Sequence, residues 1–188
     1  NLHFKDMSWK SLPNLIKSSY LLPWSSKDNP NGWIEPTTFC QLKCPGCYRG
    51  LDRENRAIHE DLEEMKGQVD RLLKLRNTQT ISIAGGEPFL YPKLPELISY
   101  INSRGLKTKI FTNGLNLDES MLKKLKNCGA TEFIIHIDNY QGRQDYQNEK
   151  ELNGLREKYC EIFRQVGDVN LGFIQPFDKN NLKDIADI

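Results

Sequence analysis

The sequence predicts an α/β fold built on a parallel sheet, either doubly wound or barrel-like. Short apolar and β-branched runs alternate with longer amphipathic stretches, and this alternation is typical of parallel strands joined by right-handed helical crossovers. A polar or glycine-rich segment follows each of the five predicted strands. Because ligands bind at the carboxyl ends of the strands in both kinds of sheet, these segments predict one binding rim.

The strands and helices alternate without internal repeats. The predicted strands are 33–37, 80–84, 107–112, 132–137 and 169–174. The predicted helices are 58–75, 94–104, 118–127 and 150–165, followed by the start of a helix at 182–188. Apolar residues fall on one face of the first helix, and Gly105 ends the second. Asn116, with Glu119 three residues later, predicts the N-cap of the third helix.

Composition and charge bound the functional class. Lys and Arg number 26 against 25 Asp and Glu, so the net charge of +1 gives no electrostatic signal for nucleic acid or for an anionic membrane. No segment approaches the about 18 consecutive apolar residues of a spanning helix, and residues 1–10 lack a signal-peptide pattern. Five cysteines, three of them clustered, indicate metal or redox use in a reducing compartment. We therefore expect a cytoplasmic protein without a nucleic-acid partner or membrane association.

Three cysteines lie on one short loop directly after the first predicted strand, at Cys40, Cys44 and Cys47. Three soft thiolates so close in sequence can reach one metal centre, but they cannot complete a tetrahedral zinc site alone. They suit an iron–sulfur cluster that keeps one iron open. The loop therefore predicts a metal centre at which a further ligand can bind.

The residues alone leave two other interpretations of this loop open. A zinc site could recruit His59, or one of the two cysteines outside the loop, and would make a non-catalytic binding module. Cys44 and Cys47, two residues apart, could instead form a dithiol redox pair. Cys40 has no role in such a pair, which counts against it.

A second motif, Gly85-Gly86-Glu87-Pro88, follows the second predicted strand. The two glycines remove two Cβ atoms, so that a ligand can approach the backbone closely. Glu87 can accept a hydrogen bond from an ammonium group, and Pro88 ends the strand. Alone these residues predict a tight turn, but one βα unit after the cysteine loop the combination is specific.

Together the two motifs resemble the radical S-adenosylmethionine (radical SAM) superfamily, and the resemblance extends from about Trp33 to the end of the sequence. It implies a partial, open parallel βα barrel. It also implies that Cys40, Cys44 and Cys47 hold a 4Fe–4S cluster whose open iron is chelated by the amino and carboxylate groups of SAM. Residues 85–88 would then receive the SAM ammonium.

The activity that this resemblance implies is reductive cleavage of SAM. The product, a 5′-deoxyadenosyl radical, would abstract hydrogen from a substrate C–H bond and lead to methylation, bond formation or rearrangement. A reductant protein such as a flavodoxin or ferredoxin would supply the electron. The substrate, whether a small molecule, a lipid or a peptide, is not identified by these residues.

The resemblance implies further SAM contacts after the third and fourth strands, where Asn113 and Asp138 are the candidates for the carboxylate or the ribose. Turn and capping roles are the alternative for both residues. The family usually carries an aromatic residue just before the last cysteine, where it flanks the adenine. Gly46 occupies that position here. Tyr48, on the other side of Cys47, is therefore the candidate for this contact.

Three other polar residues near the fourth strand have more ordinary interpretations. A lone histidine in an apolar strand, such as His136, is expected to be a core residue with satisfied hydrogen bonds. Gln141 and Arg143 could hold an anionic group of the substrate or of SAM, but they are expected to pair on the surface.

The predicted domain organisation is an N-terminal extension at 1–31 and a radical SAM core at 32–188. A dense turn signal at residues 28–32 separates them. The family barrel typically has six βα units, and this sequence ends inside the fifth helix. We therefore expect the C-terminal part of the core to be missing.

Overall fold

Five parallel strands form one sheet in which spatial order follows chain order. The computed structural model describes residues 29–49, 58–143, 146 and 148–176. The strands are β1 (Asn31–Ile34), β2 (Thr80–Ile83), β3 (Lys107–Thr112), β4 (Glu132–His136) and β5 (Asn170–Ile174). They pair in the order β1-β2-β3-β4-β5, and every pairing is parallel. All five carboxyl ends therefore meet at one edge of the sheet.

Four α-helices connect the strands and cover one face of the sheet. They are α1 (Leu62–Leu75), α2 (Leu94–Ser103), α3 (Glu119–Asn127) and α4 (Glu149–Val166). Their buried apolar residues belong to one core cluster with the strand residues that face them. None of the helices in the described part of the chain is long and apolar enough to cross a membrane.

Alternate strand residues divide between the two faces, as the pleat requires. Ile34, Ile83, Ile110 and Phe133 are in register across four strands and are buried under the helices. Their neighbours along the strands, including Phe111, point to the opposite face and line a cavity. This arrangement confirms the predicted α/β fold with a parallel sheet.

The first strand and the first helix are shorter than predicted. Pro36 has no N–H group with which to continue the ladder, so β1 ends at Ile34 rather than at residue 37. Residues 58–60 are extended rather than helical, because an antiparallel bridge joins His59 to Thr37. Asp61 then caps α1 by accepting a hydrogen bond from the Glu63 N–H.

The predicted cap of the third helix is wrong by two residues. Asp118, not Asn116, accepts a hydrogen bond from the backbone N–H of Met121, at 2.7 Å. A turn in which the Leu117 N–H bonds to the Gly114 carbonyl keeps Asn116 outside the helix. The predicted helix at 182–188 and nearly all of the predicted extension at 1–31 lie outside the described residues.

Candidate functional site

The carboxyl edge of the sheet opens into a cavity of about 730 Å³. The segments that follow all five strands contribute to its lining, with Cys40, Gly85, Asn113, Asp138 and Pro176 as one residue from each. The five segments therefore do share one rim, as the sequence predicts, and ligand binding at that rim stays a prediction. The volume lies in the range of about 300–1,000 Å³ that is usual for ligand sites.

The cysteine loop forms one wall of this cavity, and Cys40, Cys44 and Cys47 are all partly exposed to it. A tight turn, in which the Cys47 N–H donates to the Cys44 carbonyl at 3.1 Å, places these two residues close together. The Cys44 thiol donates to the Gln141 carbonyl at 3.4 Å. Cys40 Sγ accepts a hydrogen bond from Asn113 Nδ2 at 3.9 Å. The rims of β3 and β4 thus contact two of the three sulfur atoms.

The glycine element serves a purpose that the sequence did not predict. A Cβ atom on Gly86 would lie 2.0 Å from the Phe39 carbonyl oxygen, and one on Gly85 would lie 2.5 Å from that of Thr37. Gly85 also has a positive φ of 110°. The backbone leading into Cys40 therefore occupies the space freed by the glycines. Their absent side chains fix the cysteine loop against β2.

Glu87 is buried, with 1% of its surface exposed, although it borders the cavity. Its Oε1 accepts hydrogen bonds from the Thr112 hydroxyl at 2.7 Å and the Phe89 N–H at 3.1 Å, and Oε2 accepts from the Asn113 N–H at 2.8 Å. Burial raises the pKa of this carboxyl, and the hydrogen bonds from Asn113, Thr112 and Phe89 oppose that effect. Since a carboxylate has about four acceptor positions, one is left for an ammonium group.

His136, at the end of β4, and Asp138, just after it, form part of the cavity wall. His136 is not a buried core residue, because 32% of its side chain is exposed and it lines the cavity. Its Nε2 atom contacts Asp138 Oδ2. Asp138 itself is buried, and its Oδ1 accepts from the Tyr140 N–H at 2.6 Å. Both carboxylate oxygens of Asp138 are therefore engaged within the protein, and of the two residues that line the cavity here His136 is the more exposed.

The expected surface pairing of Gln141 and Arg143 is also wrong. Gln141 is fully buried in the cavity wall, at the end of a short 3-10 helix, Asn139–Gln141. Its Oε1 accepts from the Asp138 N–H at 3.2 Å, while its Nε2 has no partner among the described residues. Arg143 donates to the Asn113 carbonyl at 2.8 Å. Arg143 thus connects the β3 and β4 rims, and Gln141 connects the β4 rim to the cysteine loop. The capping box that Asp138 and Gln141 form is the local signal that could have placed Gln141.

A buried ion pair joins the segment that follows β4 to helix α4. Arg156 Nη2 contacts Glu149 Oε2 at 2.8 Å, and the same nitrogen donates to the Ile137 carbonyl at 2.7 Å. Glu149 in turn accepts from the Asn139 N–H at 3.0 Å. The first turn of α4 is thereby joined to the segment that carries His136.

Tyr48 and Gly46 occupy the open mouth of the cavity. The Tyr48 hydroxyl donates to Glu35 Oε1 at 2.7 Å, and 68% of the residue is exposed. Gly46 has no atom within 4 Å of the position of a Cβ. A side chain at residue 46 would therefore fit sterically, so its absence is not imposed by packing.

The donor set fits an iron–sulfur cluster better than a single zinc ion. Among the described residues, no three His, Cys, Asp or Glu side chains converge on one point that could hold a metal ion. His59, the candidate fourth zinc ligand, instead bonds to the Thr37 hydroxyl at 2.9 Å and stacks on Phe39. In a 4Fe–4S cluster each cysteine ligates a different iron atom, so the sulfur atoms need not share one point. Three thiols around one cavity wall, with an unpartnered buried N–H donor beside them, satisfy that requirement.

The chain is similar to known proteins in family, in sequence and in structure. The sequence model of the radical SAM superfamily matches residues 34–187. The chain is 29% identical over 178 residues to the Fe-coproporphyrin III synthase of Methanosarcina barkeri, an alignment that covers 90% of this chain and 42% of that protein. It is 30% identical over 138 residues to the 7,8-dihydro-6-hydroxymethylpterin dimethyltransferase of Methanocaldococcus jannaschii, covering 71% of this chain and 27% of that protein.

The fold is also similar to that of BtrN, solved in complex with AdoMet (SAM) and 2-DOIA. The TM-score is 0.60 at 20% identity, over 81% of this chain and 58% of that one. This likeness confirms the partial parallel βα fold. The chain spans less than half the length of either sequence relative.

Proposed function

The chain belongs to the radical SAM superfamily, whose members use a 4Fe–4S cluster and SAM, and on this premise we propose that it is the core of a radical-generating enzyme. When bound, the cluster and SAM supply reductive cleavage of SAM to a 5′-deoxyadenosyl radical, which abstracts hydrogen from a substrate C–H bond. The observation that carries the proposal is the common cavity. Three thiols, a glycine-docked loop and the polar ends of β3 and β4 all border it.

In this proposal Cys40, Cys44 and Cys47 ligate the cluster. Gly85 and Gly86 hold the loop in position, and the remaining acceptor site on Glu87 receives the SAM ammonium. Their close packing against residues 37–39 supports this role, because it couples the ammonium site rigidly to the cysteine loop.

The remaining site residues border the same cavity. Pro88 is buried at the start of a 3-10 helix, Pro88–Leu90, and sets the direction of the segment. Tyr48 flanks the adenine at the cavity mouth. Asn113 lines the cavity at the end of β3. Asp138 orients His136 toward the ribose of bound SAM.

We further propose that the reductant is a flavodoxin or ferredoxin and that the enzyme acts in the cytoplasm on a small molecule, lipid or peptide. The two relatives named above are a synthase and a dimethyltransferase. Because they differ in reaction type, they do not select one reaction outcome for this chain. The core of the enzyme would span residues 32–188, with 1–31 as an extension and further barrel units supplied beyond this sequence.

The test is anaerobic reconstitution of the chain with iron and sulfide, followed by an assay for 5′-deoxyadenosine in the presence of SAM and dithionite. We expect the wild-type chain to show the brown cluster absorbance and to cleave SAM. Replacing Cys40, Cys44 or Cys47 by alanine should abolish both, because each removes an iron ligand. Cys160→Ala is the matched control, since Cys160 lines a separate groove.

Other outcomes would favour the alternative functions. Retained SAM cleavage in all three cysteine variants would overturn the assignment of the ligands. Stoichiometric zinc without 5′-deoxyadenosine would identify a binding module. Iron-independent redox activity that survives loss of Cys40 would identify a dithiol oxidoreductase.

A further inference from the structure

Two carboxamide side chains face the cysteine loop from the neighbouring strand ends, and each is held in one orientation. Asn113 is buried, and its Oδ1 accepts from the Leu115 N–H at 2.9 Å. Its Nδ2 is consequently turned the other way, toward Cys40 Sγ at 3.9 Å. The amide nitrogen of Asn113 is thus presented to a cysteine sulfur.

Gln141 repeats this arrangement at the next strand end. Its Oε1 is fixed by the Asp138 N–H, and its backbone carbonyl accepts the Cys44 thiol. Its Nε2 is buried in the cavity wall without a partner among the described residues. Because a buried donor is costly unless it is hydrogen-bonded, the position of this nitrogen implies an acceptor that occupies the cavity.

The backbone carbonyl of Gln141 lies 3.4 Å from Cys44 Sγ, whereas the Nε2 atom of Gln141 has no sulfur atom within hydrogen-bond distance among the described residues. A cysteine that ligates iron is a thiolate, so it no longer donates and instead accepts hydrogen bonds. No lysine or arginine is found among the described residues that line the cavity. Asn113 Nδ2 is therefore a neutral N–H donor to Cys40 Sγ, and Gln141 Nε2 is an unpartnered N–H donor in the wall of the same cavity.

We propose that Asn113 donates an N–H···S hydrogen bond to Cys40 Sγ, that the unpartnered Nε2 of Gln141 gains a sulfur acceptor beside Cys44 when the cluster is bound, and that both bonds raise the reduction potential of the cluster. The inference rests on the proposed function, because it requires the cluster. Reduction adds negative charge to the cluster, and N–H donors to its sulfur atoms stabilise the added charge. Both amides act as tuning residues and take no part in bond breaking.

The test is a redox titration of the reconstituted chain without SAM, monitored by electron paramagnetic resonance. In Asn113→Leu and Gln141→Leu we expect the ratio of reduced to oxidised cluster at a fixed potential to fall by about tenfold, which corresponds to 59 mV for a one-electron couple. Iron and sulfide content should match the wild type. Gln141→Met is close to glutamine in size and adds no charge, so it serves where the leucine variant does not fold. The same negative shift is expected.

Gln175→Leu is the matched control. Gln175 also carries a buried Nε2 without a partner among the described residues, but it lies in the separate groove beside α4. Its removal should leave the potential unchanged, which would show that loss of a buried carboxamide alone does not alter the cluster.

If the Asn113 and Gln141 variants have an intact cluster and an unchanged reduction potential, this inference is overturned and the proposed function is not. A loss of SAM affinity at unchanged potential would also overturn it and would make the carboxamides SAM contacts. Failure of the wild-type chain to form any cluster would overturn both this inference and the proposed function.

Discussion

The two faces of the sheet use the same five strands for different purposes. On the helix-covered face, Ile34, Ile83, Ile110 and Phe133 form a continuous buried row. On the cavity face, Phe111 and Ile134 are only partly buried and Trp33 is exposed, although Ser82 and Ala84 are buried. The period of two along a strand therefore separates residues that stabilise the fold from residues that are available to a ligand.

This difference between the two faces shows where polar groups can be placed at little cost to stability. Polar side chains of the cavity rim, such as Glu87 and Asp138, are buried, but hydrogen bonds from neighbouring segments compensate them. The helix-covered face is almost entirely apolar, and tolerance of change on that face depends on packing alone. We expect substitutions to divide accordingly.

The largest effect should come from the same substitution on the two faces. Phe133→Ala removes a fully buried ring that packs against Phe89 and Phe163, and should lower the free energy of unfolding by about 3–5 kcal/mol. Phe111→Ala removes a partly exposed ring and should cost less than half as much. Urea denaturation of both variants measures the difference. Equal losses would contradict the division between the faces.

A second comparison separates two glycines of the rim. Gly86→Ala would place a Cβ 2.0 Å from the Phe39 carbonyl oxygen, so it should destabilise the fold by about 1–3 kcal/mol and displace the cysteine loop. Gly46→Ala meets no atom within 4 Å and should be nearly neutral. Thermal unfolding, together with iron content after reconstitution, measures both effects. Normal iron content in Gly86→Ala would show that the close contact is not required.

The smallest expected effect is the pH dependence due to Glu87. Because burial raises its pKa above the ordinary 4.5, the folded state holds the proton more tightly than the unfolded state. Its contribution to stability is therefore fully present below pH 4.5 and is lost as the pH rises through the folded pKa. Between these two pKa values, the free energy of unfolding of the wild type should fall, relative to that of Glu87→Gln, by up to about 1.4 kcal/mol per pH unit.

Urea denaturation of both chains at several pH values measures this slope. A pH-independent difference for Glu87→Gln would mean that its hydrogen bonds fully offset its burial.

Local patterns predicted the fold more accurately than the site. The alternation of short strands and amphipathic helices depends on residues that are near in sequence, so the five strands and four helices of the described residues were predicted with shifted ends. His136 and Gln141 lie elsewhere than predicted, because their burial depends on a cavity wall built from several strand ends, although both bond locally to Asp138. A histidine followed two residues later by aspartate, at a strand end, is the one signal that could have revealed His136.

The amino-acid sequence by itself determined the parallel α/β architecture, the common rim and the family, since these depend on periodicity and on two short motifs. Only the tertiary structure decided which polar groups are free to meet a ligand. Glu87 and Asp138 have most of their acceptor positions occupied by N–H and O–H donors of the rim, whereas the Gln141 amide is left with an unpartnered donor. Hydrogen bonds between rim segments far apart in sequence assign these roles, and no local pattern encodes them.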